Sequence, residues 1–450
     1  MAMTLIGRHA VVVGAGMAGL PAARALADFF EQVTVVERDT LPPAATHRTG
    51  TPQSRHVHAL LGGGQRALGE LFPGFEQDLA AAGAVPLRVG LEVRFETPGF
   101  DPFPQRDLGL ITYSMSRPLI ERVLRRRVEQ HANITIRDNC RVRDIVAASD
   151  GAAVSAIQLA DSNGNTETLT ADLVVDASGS GNVTAALLES TGRGRPAETI
   201  IEVDIGYASA TFAIPADTPP DWKGVATIPQ APQQRRGGLM LPLEGNRWLL
   251  SLGGRHGDKP RGDWDGFLAC VQELRTPTIY DAIKRAERLG AVARFGFPAS
   301  VRRHFDRIDD FPRGLLPLGD ALCRFNPIYG QGMSVAAQEA RLLHALLRRR
   351  VEEPDRLKGL APAFFAEAAR LIETPWALAA VPDFVFPETR GERPADFERS
   401  LEFGAGLNRL AAEDAGIHKL LFELRHLLKP RSVLRDPEIV ERVKAIAASA

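Results

Sequence analysis

Cysteine is scarce in this chain, with Cys140, Cys270 and Cys323 the only three in 450 residues. They are odd in number, scattered, and form no CxxC or Cys/His pair at metal-ligand spacing. That excludes a disulfide framework and a structural metal, and points to a reducing, cytoplasmic setting. A dominant charge is missing too. The 54 lysines and arginines stand against 55 acids, so no global field draws the chain to nucleic acid or to an anionic membrane. The basic triplets at 125–127 and 348–350 fall on expected helices and read as solvated faces. No apolar run approaches the length of a membrane span. The N-terminus enters a strand pattern at once, without the apolar core and cleavage site of a signal peptide. What remains is the composition of a globular protein, 44% hydrophobic and 24% charged, long enough for two or three domains.

Glycine is plentiful, and its placement is informative. From Arg8 to Asp39 an apolar strand (10–13) breaks at Gly14-Ala15-Gly16-Met17-Ala18-Gly19. A helical pattern follows over 20–30, then a second apolar strand over 33–36 that ends in Glu37-Arg38. Strand, GxGxxG, helix, strand and acid in this order predict a dinucleotide-binding βαβ unit. Gly14 permits the tight turn, Gly16 lets a pyrophosphate approach the backbone, and Gly19 lets helix pack on strand. The helix N-terminus adds partial positive charge, and Glu37 is placed to accept both hydroxyls of an unphosphorylated ribose, which leaves NAD or FAD. A second special segment, "LGDALCRFNPIYGQGMSV" at 318–335, reads as a strand end, a carboxylate, a shaped loop and a helix start. An extended cofactor such as FAD, held at two distant ends, suits both segments.

These residues resemble the flavoprotein monooxygenase superfamily typified by para-hydroxybenzoate hydroxylase. Gly319 and Asp320 match its glycine–aspartate pair for the ribityl chain. Pro327, Gly330, Gln331, Gly332 and Met333 match the turn and helix start beneath the isoalloxazine ring. Within the superfamily the chain looks most like the group of polyether (alkene) epoxidases. The residues behind that are "TPQSRHVHALLGGGQRALGELFPG" at 51–74, "SMSRPLIERVLRRRV" at 114–128, "LVVDASG" at 173–179 and the 318–337 block. The likeness covers most of residues 8–350.

The resemblance implies an α/β fold. Its Rossmann-like FAD-binding domain takes residues 1–80, 105–195 and 295–350. An antiparallel β-sheet substrate domain takes 196–294, with an excursion at 81–104, and a helical region follows at 351–450. It also implies further cofactor contacts: Arg117 at a helix start, Val142 near the adenine, Ala177 and Gly179 in a turn, and Arg55 and His56 on the loop near the ring. Ser116 and Pro118 independently mark that helix start as an N-cap and first turn. Two histidines, His56 and His58, lack a third ligand, so no metal is expected. The superfamily's aspartate–glycine pair is absent from Asp176-Ala177-Ser178-Gly179, which leaves NAD(P)H reduction direct or through a separate flavin reductase.

The activity implied is insertion of one oxygen atom from O2 through a flavin C4a-hydroperoxide. Epoxidation of an alkene in a polyketide or terpenoid is favoured, because the expected pocket strands at 200–213 and 237–252 offer no evident base beyond Tyr207 or His256. Aromatic hydroxylation and prenyl-lipid reduction are the alternatives. A flavin halogenase's Trp-x-Trp-x-Ile-Pro motif is absent, since tryptophan stands only at 222, 248, 264 and 376. At 420–428 the leucines Leu420, Leu421, Leu424, Leu427 and Leu428 share one expected helix face for core packing or a dimer contact.

Overall fold

The computed structural model describes residues 5–216 and 221–448. Its nucleus is a five-stranded parallel sheet in the order Leu315–Pro317, Leu173–Asp176, Gly7–Val13, Phe30–Val36, Ile134–Arg137. Strands covered on both faces read as continuous apolar runs, and Ala10–Val12 and Leu173–Val175 are buried throughout. Helix Gly19–Ala27 makes the first crossover. It stops short of the expected Phe30, because the sheet claims the next residues: the Phe29 carbonyl accepts from Ile6 and Gly7, and Phe30 opens the second strand fully buried.

A larger sheet lies beside this domain. Its long antiparallel strands are Ala293–Arg303, Glu198–Ala213, Arg247–Arg255 and Arg236–Leu243. Gly224–Thr227 and Val93–Glu96 add a parallel pair at one edge, and Cys323–Arg324 closes the other. One face of this sheet, through Phe212, Trp248 and Leu250, packs on helices Trp264–Gln272 and Thr278–Ile283. Side chains alternate between faces, so Tyr207, Ser209, Ser251, Gly253 and Phe295 point the opposite way, towards the loops of the parallel-sheet domain. A three-stranded meander (Cys140–Ala147, Val154–Asp161, Thr166–Thr170) lies on the other side of the nucleotide fold.

The C-terminal region is helical, led by Leu360–Asp383, Phe397–Glu413 and Ala415–Arg425. The leucine face expected at 420–428 is broken. The helix ends at Arg425, and Leu427 has a positive φ of 55°. Leu427 and Leu428 turn onto the start of helix Gly62–Leu71 instead, where the Gln338 side chain donates to the Leu427 carbonyl. Among the described residues no helix is long and apolar enough to cross a membrane.

Candidate cofactor and active site

The two glycine-rich segments, 300 residues apart, meet. Gly319 takes a left-handed backbone (φ 68°), and a Cβ there would stand 2.7 Å from the Cβ of Ala18 at the start of helix Gly19–Ala27. Gly19 is required for the same packing, because a side chain would drive into the Gly14 carbonyl oxygen at 1.8 Å. Gly14 itself lies against the Ala177 carbonyl, Gly179 reaches the Cβ of Asp320, and the Asp320 Oδ1 lies 3.8 Å from the Cβ position of Gly332. Parallel strand ends thus bring Gly14–Gly19, Ala177–Gly179, Gly319–Asp320 and Gly332 around one cleft.

Charge in the cleft suits an anion at one end and hydroxyls further along. Above Gly16 the nearest side-chain atoms are the guanidinium ends of Arg48 (3.8 Å) and Arg117 (4.0 Å). Arg117 opens helix Arg117–Glu129, whose Ser116 N-cap accepts from the Leu119 N–H, and it is fixed by Glu121 at 2.6 Å. Arg48 carries no sequence signal, yet it is held by Glu37 (3.3 Å), Asp39 (2.8 Å) and Glu121 (3.3 Å). Glu37 also accepts from the Ala15 N–H (2.8 Å) and the Asp39 N–H (3.0 Å), so it braces the glycine turn while keeping lone pairs for a ribose. Val142 follows directly, since Cys140 N–H donates to the Glu37 carbonyl. Arg38 and Arg55 are exposed.

Asp320 is exposed to solvent although it lies deep within the chain; burial pushes its carboxyl up, opposed by Arg324, Arg117 and Arg303. His58 and Tyr329 are likewise enclosed by protein yet keep accessible surface, as lining a deep cleft requires. The Asp320 carboxylate makes no hydrogen bond to the described residues, so it is free to accept from a ligand. Beneath it, fully buried Glu339 accepts from the Gly319 N–H at 2.7 Å; burial pushes its carboxyl up to about 8. An arginine pair at a bare glycine turn and a helix N-terminus, with an uncovered carboxylate beyond, fit the pyrophosphate and ribityl chain of FAD.

The turn that follows is built by three parts of the chain. Asn326 caps the short Pro327–Tyr329 helix by accepting from the Ile328 N–H, and Gly330 turns left-handed (φ 66°) beside Ala59. Gln331 is buried and leads into helix Gly332–Arg350, with Met333 packed against the main core. Asp383, at the end of the C-terminal helix, accepts from Asn326 (2.9 and 3.0 Å), Tyr329 (2.8 Å) and Arg255 (2.9 Å). None of these four showed as functional in the sequence, because the pairing is wholly tertiary.

Facing the turn is the open side of the large sheet. His56 is pinned there through Nδ1 to Ser209 (2.7 Å), Ser209 meets Ser251 (2.6 Å), and the Val57 N–H donates to Ser251 (2.8 Å). Burial pushes His56 down to about 4, and burial with the nearby Arg117 pushes His58 down to about 3. Burial pushes the Tyr207 hydroxyl far up. His256 is turned away, bonded to Thr389 at 3.0 Å. Asp176 is fully buried, accepting from Thr184 (2.7 Å) and the Ser178 N–H (3.1 Å). A surface hollow of about 580 Å³ lined by Arg341, His344 and Arg349 lies along helix Gly332–Arg350, away from this cleft.

A parallel-sheet domain with a glycine turn, a facing antiparallel sheet and a second turn that returns to the first define a flavoprotein oxidoreductase fold of the para-hydroxybenzoate hydroxylase type. The chain belongs to the FAD dependent oxidoreductase family, whose match spans residues 10–202. It is 34% identical over 401 residues to Protein Rv3254 of Mycobacterium tuberculosis, covering 85% of this chain and 82% of that one. Among solved structures it resembles the flavin-dependent brominase Bmp2 (TM-score 0.68, 16% identity, 98% of each chain). It also resembles pqsL, a probable FAD-dependent monooxygenase from Pseudomonas aeruginosa (TM-score 0.61, 17% identity, 84% of this chain and 97% of that one). At such identities the likeness is one of fold.

Proposed function

We propose that the protein is an FAD-dependent monooxygenase that transfers one oxygen atom from O2 to an apolar organic substrate, by epoxidation of an alkene in a polyketide or terpenoid. The observation that carries the reaction type is the wall facing the Pro327–Gly330 turn. Phe295, Ile328 and Gly253 make it apolar, and its titratable groups are poor bases near neutrality: His56 is pushed down to about 4, and Tyr207 stays a neutral hydroxyl. Phenol hydroxylation needs a base for the substrate proton, whereas alkene epoxidation needs none.

In this reading Arg48, Arg117 and the Gly14–Gly19 turn hold the pyrophosphate, and Glu37 and Val142 flank the adenosine. Ala177 and Gly179 line the middle of the cofactor, and Asp320 beside Gly319 accepts from the ribityl hydroxyls. Backbone N–H groups of Gln331, Gly332 and Met333, at a helix N-terminus, stabilise negative charge at the ring. The chemistry a bound FAD supplies is oxygen activation. Apolar walls keep water from it. Electrons come from NAD(P)H, and a separate flavin reductase is the favoured route, because Asp176 is consumed by Thr184 and Ser178 rather than left for a nicotinamide cofactor.

The test supplies holoenzyme with NADPH, a flavin reductase, an apolar polyene and isotopically labelled oxygen gas. A product that gains one labelled oxygen is expected. An unlabelled product, or one heavier by two hydrogens, contradicts the reading, and rapid anaerobic flavin bleaching by NADPH alone contradicts the reductase requirement.

A further inference from the structure

We infer that the substrate carries a neutral carbonyl oxygen, and that the Tyr207 hydroxyl donates to it on the sheet face beside His56 and Ile328. The inference rests on the proposed reading of this cleft as a substrate site. Tyr207 lies on the open face of strand Glu198–Ala213, its ring 5.7 Å from that of His56 and 6.4 Å from that of Phe295. Gly253 stands opposite it on the neighbouring strand, and Ile328 of the Pro327–Gly330 turn reaches the same spot. The ring keeps accessible surface, but the hydroxyl is buried and finds no hydrogen-bond partner among the described residues.

Two nitrogens nearby, His56 Nε2 and Arg255 Nε, are buried without a partner among the described residues as well, but the other hydroxyls of the wall are satisfied. The His56 Nδ1, Ser209 and Ser251 side chains form a continuous hydrogen-bonded chain that ends on the Val57 N–H. The Tyr329 hydroxyl donates to Asp383. A buried hydroxyl left without a partner destabilises a fold, so one retained at the base of an apolar wall points to a ligand atom that completes it. Charge narrows the ligand's chemistry. Arg255, the cation beside Tyr207, is already matched by Asp383 at 2.9 Å, and Arg324 stacks on Phe297 with its field on Asp320. A carboxylate would arrive at Tyr207 without an unmatched cation to receive it. A ketone, ester or lactone carbonyl accepts one hydrogen bond from a neutral donor and brings no charge.

The test titrates the FAD-loaded protein with three polyenes of equal carbon number, farnesal, farnesene and farnesoic acid, and follows the flavin difference spectrum. The neutral carbonyl compound is expected to bind about tenfold tighter than the hydrocarbon or the acid, the effect of one satisfied buried hydrogen bond. Tyr207→Phe should erase that margin and leave farnesene binding unchanged. A margin that survives the substitution, tighter binding of the acid, or no margin at all, including no response to any of the three, overturns the inference. Ligand-free Tyr207→Phe should melt at or above the wild-type temperature; melting well below it means that the protein already satisfies the hydroxyl, and also overturns the inference. Binding is read without turnover, so this result stands or falls separately from the labelled-oxygen assay.

Discussion

At the residue scale, Gly16 and Gly19 should fail in different ways when substituted. Around Gly16 the first atoms met by a Cβ are mobile guanidinium ends at 3.8 Å and beyond, so the fold has room. Gly16→Val is expected to leave flavin-free protein melting like flavin-free wild type while blocking the approach of the pyrophosphate. Gly19→Ala places its methyl 1.8 Å from a backbone carbonyl and should destabilise the fold itself by about 1–3 kcal/mol or more. Thermal melts and flavin content of the two variants separate these effects. Glu339 gives a pH signature. Burial raises its folded-state carboxyl from 4.5 to about 8, so between those values the unfolded chain ionises while the folded chain stays protonated. Its contribution to stability therefore falls as pH rises through that window. Glu339→Gln keeps an acceptor for the Gly319 N–H and should flatten this part of the stability–pH curve, which denaturation at a series of pH values measures. The turn of Gly14, Gly16 and Gly19 with Glu37 after the next strand could be read from spacing and neighbouring apolar runs, whereas Asp320 was singled out through the resemblance. Arg48 was not: one arginine among many, it joins the loop after strand Phe30–Val36, through Glu37 and Asp39, to Glu121 of helix Arg117–Glu129.

At the scale of elements, the turn before helix Gly332–Arg350 shows how far a local signal reaches. Proline and glycines at 327, 330 and 332 announce a shaped loop. They say nothing of Asp383, 57 residues from Asn326 and 54 from Tyr329, which fixes that loop to the C-terminal helix and to Arg255 of the sheet. Asp383→Ala leaves a buried arginine uncompensated and should cost about 3–5 kcal/mol. Asp383→Asn, which preserves shape, should cost less. Both should loosen the turn, read as weaker flavin retention after gel filtration. Helix Gly62–Leu71 illustrates the opposite failure, since three consecutive glycines are poor helix formers. They open a helix because its first turn abuts other backbone: a Cβ at Gly63 would meet the Leu427 carbonyl at 2.3 Å, and one at Gly64 the Ser334 Cα at 2.5 Å.

At the scale of the whole molecule, the Rossmann-like domain and the meeting of the two glycine turns follow from motifs readable in the sequence. The role of the C-terminal region does not, because its helices carry an ordinary apolar pattern and reveal their place only by packing. On the proposed reading a single FAD spans from the Gly14–Gly19 turn to the Gly330–Met333 turn. The most direct measurement is the flavin content of the purified protein, or of the protein incubated with FAD and freed of excess, followed by denaturation. One FAD per chain is expected, bound noncovalently and released intact on denaturation. Protein that stays colourless after incubation with FAD, or a flavin that cannot be released by denaturation, would contradict it.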